Sequence, residues 1–419
     1  MEQYRLTAPQ RLDATVELPA SKSISNRALI IYALSGGTHL PENLSDCDDT
    51  NVIIKALQEM PEEIDIMAAG TAMRFMTAYL SVVPNGTHVL TGTERMKHRP
   101  IGILVDALRL LGADISYVGE EGYPPLRISG KHMEGGLLEI PGNVSSQYIS
   151  ALLMIGPALK NGLTLRLTGD VISRPYIDLT LWTMREFGAD ADWSDFETIT
   201  VGATPYKERS YYIENDWSAA SYWYEMMALS NNEDDEIRLE GLMDGSKQGD
   251  SSVRYIFSLL GVKTIFESRE EGIPTTVTLR HSNRCVPRLE YDFVNSPDLA
   301  QTFVVCCALK NVHFRFTGLS TLKIKETDRI EAMKKEMRKL GYVIHDANGS
   351  ELIWDGERCM PDIASGIDTY EDHRMALSFA PSALCIDGII INNPKVVTKS
   401  YPHFWEDIKS CGFEVNSEQ

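Results

Sequence analysis

The chain has 419 residues, 43% of them hydrophobic, with 59 acidic against 40 basic side chains and a formal net charge of −19. That length exceeds one ordinary core and predicts two domains of about 200 residues each, while the acidic balance argues against nucleic-acid binding, which needs a basic face. No apolar stretch approaches the ~20 residues that span a bilayer, residues 1–7 hold no apolar signal region, and the seven cysteines include no C-x-x-C pair, so a location in reducing cytoplasm, away from membranes, is expected.

One unit recurs along the chain: a small or polar group, an Ala-rich apolar helix of about three turns, a short link and a β-like run. The first helix is predicted over 25–34 and the second over 70–80. The third covers 145–159 and leads into a strand at 163–169; the fourth covers 218–229 and leads into 237–241. The fifth runs over 298–309 before a strand at 314–318, and the sixth over 373–384 before 388–392. The leucines that end these helices lie 46 to 80 residues apart, and six copies fit two domains of three units. Helices apolar almost all round belong in a core. More amphipathic helices, at 99–111, 179–187 and 329–340, lie between them, each followed by glycine and a strand-like run such as 341–344. The expected class is α/β: two domains with buried apolar helices and outer mixed sheets.

Polar and charged residues gather where the six apolar helices begin. Side chains or ligands must satisfy the first N–H groups of a buried helix, and converging helix starts make an anion site. Read alone, Ser218 is an N-cap; six starts that also bear Arg27, Arg74, Gln147, Asp298, His373 and Arg374 exceed capping needs. Ser21, Lys22, Ser23, Ser25, Asn26 and Arg27 place two cations and three hydroxyls in seven residues, a pattern suited to phosphate or carboxylate. Gly70 in Gly70-Thr71-Ala72-Met73-Arg74 permits close approach of a ligand to backbone. Arg95, Lys97, His98 and Arg99 form a basic run. Asn143, Ser145, Ser146 and Gln147 offer uncharged donors, and Ser173, Arg174 and Tyr176 add a hydroxyl, a cation and a phenol. In the second half, Asp298 starts an apolar helix, Lys325-Glu326-Thr327-Asp328-Arg329 holds two opposite-charge pairs, Asp372-His373-Arg374 opens the sixth helix, and Lys399 sits in a polar loop.

In this order the motifs resemble those of the EPSP synthases, within the enolpyruvyl transferase family, along essentially the whole chain. The strings that carry the resemblance are 21–27, 69–74, 95–102, 143–147, 297–298, 325–329 and 372–375. The resemblance implies two domains, each of three inverse α/β units: a first of residues 18–214, and a second of 1–17 plus 215–419, closing on substrates with the active site in the cleft between them. It implies transfer of the carboxyvinyl group of phosphoenolpyruvate to the 5-hydroxyl of shikimate 3-phosphate, on the shikimate pathway to chorismate and aromatic amino acids. No cofactor and no metal are implied, and a monomer is expected.

Carried over by position, Ser23, Arg27, Ser145, Ser146, Gln147, Ser173, Tyr176, Asp298 and Lys325 would hold shikimate 3-phosphate. Lys22, Gly70, Arg99, Gln147, Arg329, Arg374 and Lys399 would hold phosphoenolpyruvate. Asp298 is the expected base at the 5-hydroxyl, and Glu326 the proton donor and acceptor at the methylene carbon, assisted by Lys22 and supported by His373. A Glu326 bonded directly to Lys325 and Arg329 should have a depressed pKa, yet its role requires it to carry a proton in turn. Three departures stand out: Ala68 before the Ala-Gly-Thr string and Thr321 before the lysine motif, each where an asparagine is usual, and Phe75 after Met-Arg, where proline is usual. The first two positions of the Gly70 region, Ala68 and Phe75, are expected to alter the wall near phosphoenolpyruvate and so its affinity and the response to glyphosate. The alternatives are the sister activity on UDP-N-acetylglucosamine, which uses a first-domain cysteine this chain lacks between Cys47 and Cys285, and a non-catalytic anion-binding homologue.

Overall fold

The computed structural model describes residues 2–84, 86–270 and 272–418. The chain divides into two compact units, Met1–Pro19 with Glu214–Gln419, and Ala20–Ile213. Each has its own apolar core. Among the described residues no helix is long and apolar enough to cross a membrane.

The sheets repeat one topology. In the Ala20–Ile213 unit, Glu63–Asp65, Thr87–Thr91, Leu126–Ser129 and Asp114–Tyr117 lie side by side in that order, the first pair parallel and the others antiparallel. Gly136–Pro141, Leu163–Thr168, Thr198–Val201 and Ala191–Trp193 do the same. In the other unit the pattern recurs with Asp13–Glu17, Glu236–Leu242, Thr275–Cys285 and Leu260–Phe266. It recurs again with Arg288–Asp292, His313–Thr317, Glu351–Trp354 and His345–Ala347. A fifth, all-antiparallel sheet joins Ile389–Asn392, Gln3–Thr7 and Glu414–Glu418. There the parallel first strand is reduced to a bridge between Ile367 and Ile391. The copy that begins at Ser21 is the irregular one, with a parallel bridge between Glu42 and Tyr212 where the others have a sheet. Along Leu163–Thr168 the leucines are buried and alternate with Thr and Arg, as a sheet with one face on the core requires.

The apolar helices are Lys22–Ser35, Gly70–Val82, Ser146–Ile155, Trp217–Leu229, Ala300–Leu309 and His373–Phe379, the third and sixth continued by 3₁₀ turns. Every residue from Ala300 to Ala308 is buried, since a helix without a polar face leaves none for solvent. Between the first two lies Asp48–Glu59, an amphipathic helix outside the repeated pattern. Two expected boundaries shift. The helix expected at 99 starts at Gly102, because Pro100 disfavours helical backbone in the residue before it. The helix expected at 179 starts at Arg174, with Pro175 preorganising its first turn. The run 341–344 is not a strand: Gly341 takes φ +91°, Tyr342 makes one bridge to Arg358, and pairing resumes at His345.

Glu225, midway along Trp217–Leu229, is fully buried and neither carboxyl oxygen has a hydrogen-bond partner. Burial pushes its pKa well above the ordinary value. A carboxyl whose folded-state pKa is raised adds stability that is complete below its unfolded pKa and lost as pH rises through the folded one. Glu225→Met, of similar size and apolar, should therefore stabilise its unit by about 1–3 kcal/mol at alkaline pH. Thermal melts across pH check this, with the gain expected to shrink on acidification.

Candidate active site

Four of the six helix starts carry a side-chain cap. Ser21 accepts from the Ile24 amide, Ser145 from Gln147, Asp216 from Ser218 and Ala219, and Asp372 from Arg374. The Gly70 and Ala300 helices have none. Ser218 is thus not the cap expected of it: Asp216 caps, and the Ser218 hydroxyl donates to Asp250.

In the Ala20–Ile213 unit, three helices meet at Arg27. Its Nε donates to Thr180 Oγ1 at 2.7 Å, Nη1 to the Ser23 carbonyl at 2.8 Å, and Nη2 to Ser150 Oγ and the Tyr176 carbonyl, both at 3.2 Å. Among the described residues Arg27 pairs with no carboxylate. Burial lowers its pKa to about 10, which leaves it charged at neutral pH and surrounded by neutral acceptors. A buried cation without a counter-ion favours an arriving anion. Phe75 packs under this guanidinium, 5.5 Å from ring centroid to Cζ, and is fully buried. Phe75 lies five residues beyond Gly70, and its ring meets Arg27.

A second group surrounds Gly70. A Cβ there would come within 2.5 Å of Arg99 Nη1, so only glycine lets the guanidinium lie against this helix start. Gln147 Nε2 donates to Thr71 Oγ1 at 3.0 Å, bringing the third helix start to the second. Arg74 is structural: it donates to the Gly70 and Pro100 carbonyls, each at 3.0 Å, and fixes the Arg99 loop. Of the basic run only Arg99 turns to Gly70; Lys97 pairs with Glu94, and His98 bonds the Glu94 carbonyl at the exposed surface. Lys22 pairs with Asp49 at 3.3 Å. Ser145 and Ser146 sit half-buried at their helix start, and Ser173 holds left-handed backbone, φ +53°, where the Arg174 helix begins. Arg174 itself stacks on Trp193, 3.9 Å from the ring centroid.

The Glu214–Gln419 segment holds a buried ionic cluster centred on Arg329. Its Nε and Nη2 grip Asp372 at 2.7 and 3.2 Å, Nη1 meets Asp298 at 2.8 Å, and Nη2 meets Glu326 at 2.8 Å. Asp298 also receives Lys325 at 3.2 Å and Arg374 at 3.2 Å. Glu326 receives Lys399 at 3.1 Å. Lys325, expected beside Glu326, turns to Asp298 instead. Arg374 reaches the Tyr222 hydroxyl at 3.3 Å, and His373 Nδ1 lies 3.8 Å from Asp372. Burial alone would raise the Asp298 pKa, but Arg374, Lys325 and Arg329 outweigh it and hold it well below the usual range. Burial likewise works against the Arg329 charge, and Asp372, Glu326 and Asp298 more than restore it. Asp372, Tyr222, Asp250 and Asp49 entered no expected site role. Their main side-chain partners lie far away in sequence, and the local signals are that Asp372 opens the string 372–374 and that Tyr222 falls one turn after Ser218.

Four repeated mixed sheets around apolar helices, with cations and carboxylates at the helix starts, define an α/β protein. The fold matches a solved EPSP synthase from Acinetobacter baumannii, TM-score 0.77 at 20% identity over 100% of both chains. It also matches the enolpyruvyl transferase NikO from Streptomyces tendae, TM-score 0.71 at 15% identity over 99% of this chain and 98% of that one. A family profile described as EPSP synthase (3-phosphoshikimate 1-carboxyvinyltransferase) matches residues 6–67 and 59–408. A 3-phosphoshikimate 1-carboxyvinyltransferase of Bacteroides fragilis is 60% identical over 412 residues, 98% of each chain. One from Photobacterium profundum is 34% identical over 436 aligned positions, 97% of this chain and 98% of that one. The chain belongs to the EPSP synthase family.

Proposed function

We propose that this protein transfers the carboxyvinyl group of phosphoenolpyruvate to the 5-hydroxyl of shikimate 3-phosphate, releasing phosphate and 5-enolpyruvylshikimate 3-phosphate on the route to chorismate. The observation that carries this reading is the joining of two carboxylates, Asp298 and Glu326, through one buried arginine. Enol-ether formation needs a base at the attacking hydroxyl and a proton for the methylene carbon, and then the reverse of the second step. Asp298 takes the hydroxyl proton as oxygen attacks the adjacent carbon. Glu326, with Lys22 assisting and His373 supporting, protonates the methylene to give a tetrahedral adduct, then removes a proton as phosphate leaves.

Arg27, Ser23, Ser145, Ser146, Gln147, Ser173, Tyr176 and Lys325 hold shikimate 3-phosphate in this reading. Lys22, Gly70, Arg99, Gln147, Arg329, Arg374 and Lys399 hold phosphoenolpyruvate. Partner exchange reconciles the strong ion pairs with proton chemistry. As the substrate phosphate and carboxylate draw Lys399 and Arg329 away from Glu326, its proton affinity rises, and it can carry the proton the reaction needs. All seven cysteines are unbridged, which fits a cytoplasmic enzyme. The curated relatives' names favour shikimate 3-phosphate over UDP-N-acetylglucosamine as acceptor. Phosphate release is the test: it should require phosphoenolpyruvate with shikimate 3-phosphate, and release only with the sugar nucleotide would overturn the assignment.

A further inference from the structure

Asp250 lies in the 3₁₀ turn Gly249–Ser252 and is buried. It accepts a hydrogen bond from Ser218 Oγ, on the first turn of the Trp217–Leu229 helix. One turn further on, the same helix presents Tyr222, whose hydroxyl accepts from Arg374. The charged groups that act on Asp250 include Arg374 at the start of its helix, Asp298 in the turn Pro297–Leu299, and Asp216, which caps the Ser218 helix. Arg374 favours the carboxylate; the two aspartates oppose it.

We infer that Asp250 is a positioning residue for the reaction, a proton acceptor that binds a solvent proton when phosphoenolpyruvate occupies Arg374 and thereby sets the affinity of that arginine for the substrate. The inference rests on the reading of Arg374 as a phosphoenolpyruvate ligand. Before substrate binds, burial pushes Asp250 up to about 6, against the opposing pull of Arg374 and the Ser218 hydroxyl. The group is therefore largely ionised at neutral pH. A substrate anion on Arg374 shares the charge that held Asp250 ionised and adds negative charge of its own; both effects raise its proton affinity. By linkage the protonated enzyme binds the anion more tightly, and a rise of one pKa unit on binding corresponds to about a tenfold difference in affinity. An ionised Asp250 thus weakens phosphoenolpyruvate binding as pH rises, while Asp298 and Glu326 are left to the chemistry.

The test compares KM for phosphoenolpyruvate in the wild type and Asp250→Asn from about pH 5.5 to about pH 8.5, at saturating shikimate 3-phosphate. Asparagine keeps an acceptor for Ser218 and cannot ionise. The ratio of wild-type to variant KM cancels titration of the substrate's own phosphate. It should climb from near unity in acid to about tenfold at alkaline pH, with little change in kcat. Ser218→Ala, which removes a group favouring the carboxylate, should move the midpoint of the wild-type KM profile to higher pH, and it decides the matter if Asp250→Asn does not fold. A ratio independent of pH, or no midpoint shift in Ser218→Ala, overturns the inference. Arg374→Gln separates the two readings. If it leaves KM for phosphoenolpyruvate unchanged, the ligand assignment fails; if it raises KM while the ratio stays flat, only the role of Asp250 fails.

Discussion

Asp298→Ala should lower kcat by on the order of a thousandfold, within the range that loss of a positioned acid–base group costs. The variant also strips Lys325, Arg329 and Arg374 of their shared partner. Three cations released toward an anionic substrate should leave KM for phosphoenolpyruvate unchanged or lower it, so the loss falls on turnover. The electrostatics fix the pH behaviour as well. A carboxyl held well below its usual range is ionised throughout the working pH range, so it contributes no acid limb to the profile near neutrality. In that state it is a weak base. It becomes a competent one when substrate anions share its cations, which couples base strength to occupancy of the site. Steady-state kinetics settle the point: a variant kcat within tenfold of wild type would remove Asp298 from the mechanism.

Arg329→Leu should destabilise the unit formed by Met1–Pro19 and Glu214–Gln419 by about 3–5 kcal/mol, the usual cost of removing one partner from a buried pair. The Asp372 side chain is wholly buried and is gripped through two nitrogens of Arg329. Without the guanidinium, Asp372, Asp298 and Glu326 lose a common cation, and Asp298 loses one of the charges that hold its carboxyl low. Protonation then relieves the repulsion, so the deficit should shrink as pH falls. Urea unfolding at neutral and acidic pH measures both effects. Adding Asp372→Asn, which preserves a helix cap, should recover much of the lost stability at neutral pH; no recovery would mean that the Arg329–Asp372 pair is not what the substitution disrupts.

The six apolar helices were legible because a helix with no polar face has one place to go, and their starts marked Arg27, Gly70, Gln147, Asp298 and Arg374 before any contact was known. Pairing was not legible. Lys325, Glu326 and Arg329 form a local charge pattern, yet Lys325 turns to Asp298, and Arg329 takes Asp372 from 43 residues away. Only the fold decides which opposite charge is nearest. Phe75 shows the same limit: spacing places it close to Gly70 along the chain, while the 3.6-residue turn points its ring at Arg27. Ser218 looked like a cap because it stands at a helix start, but Asp216 holds the amides and leaves the hydroxyl to Asp250. Sheet order, repeated four times, was invisible for a related reason: alternation marks a strand without naming its neighbours.

The strand Gln3–Thr7 lies between Ile389–Asn392 and Glu414–Glu418, so its residues wait for partners made hundreds of positions later. At about 5–20 residues per second on the ribosome, that wait is roughly 20–80 s. Meanwhile the contiguous segment Ala20–Ile213 emerges whole, with its core partners already present. Synthesis therefore imposes an order on folding, the inserted half first and the half built from both chain ends afterwards. A nascent chain stalled short of Ile389 would leave Gln3–Thr7 with both edges open, a natural target for chaperones and a site where neighbouring chains could pair by mistake.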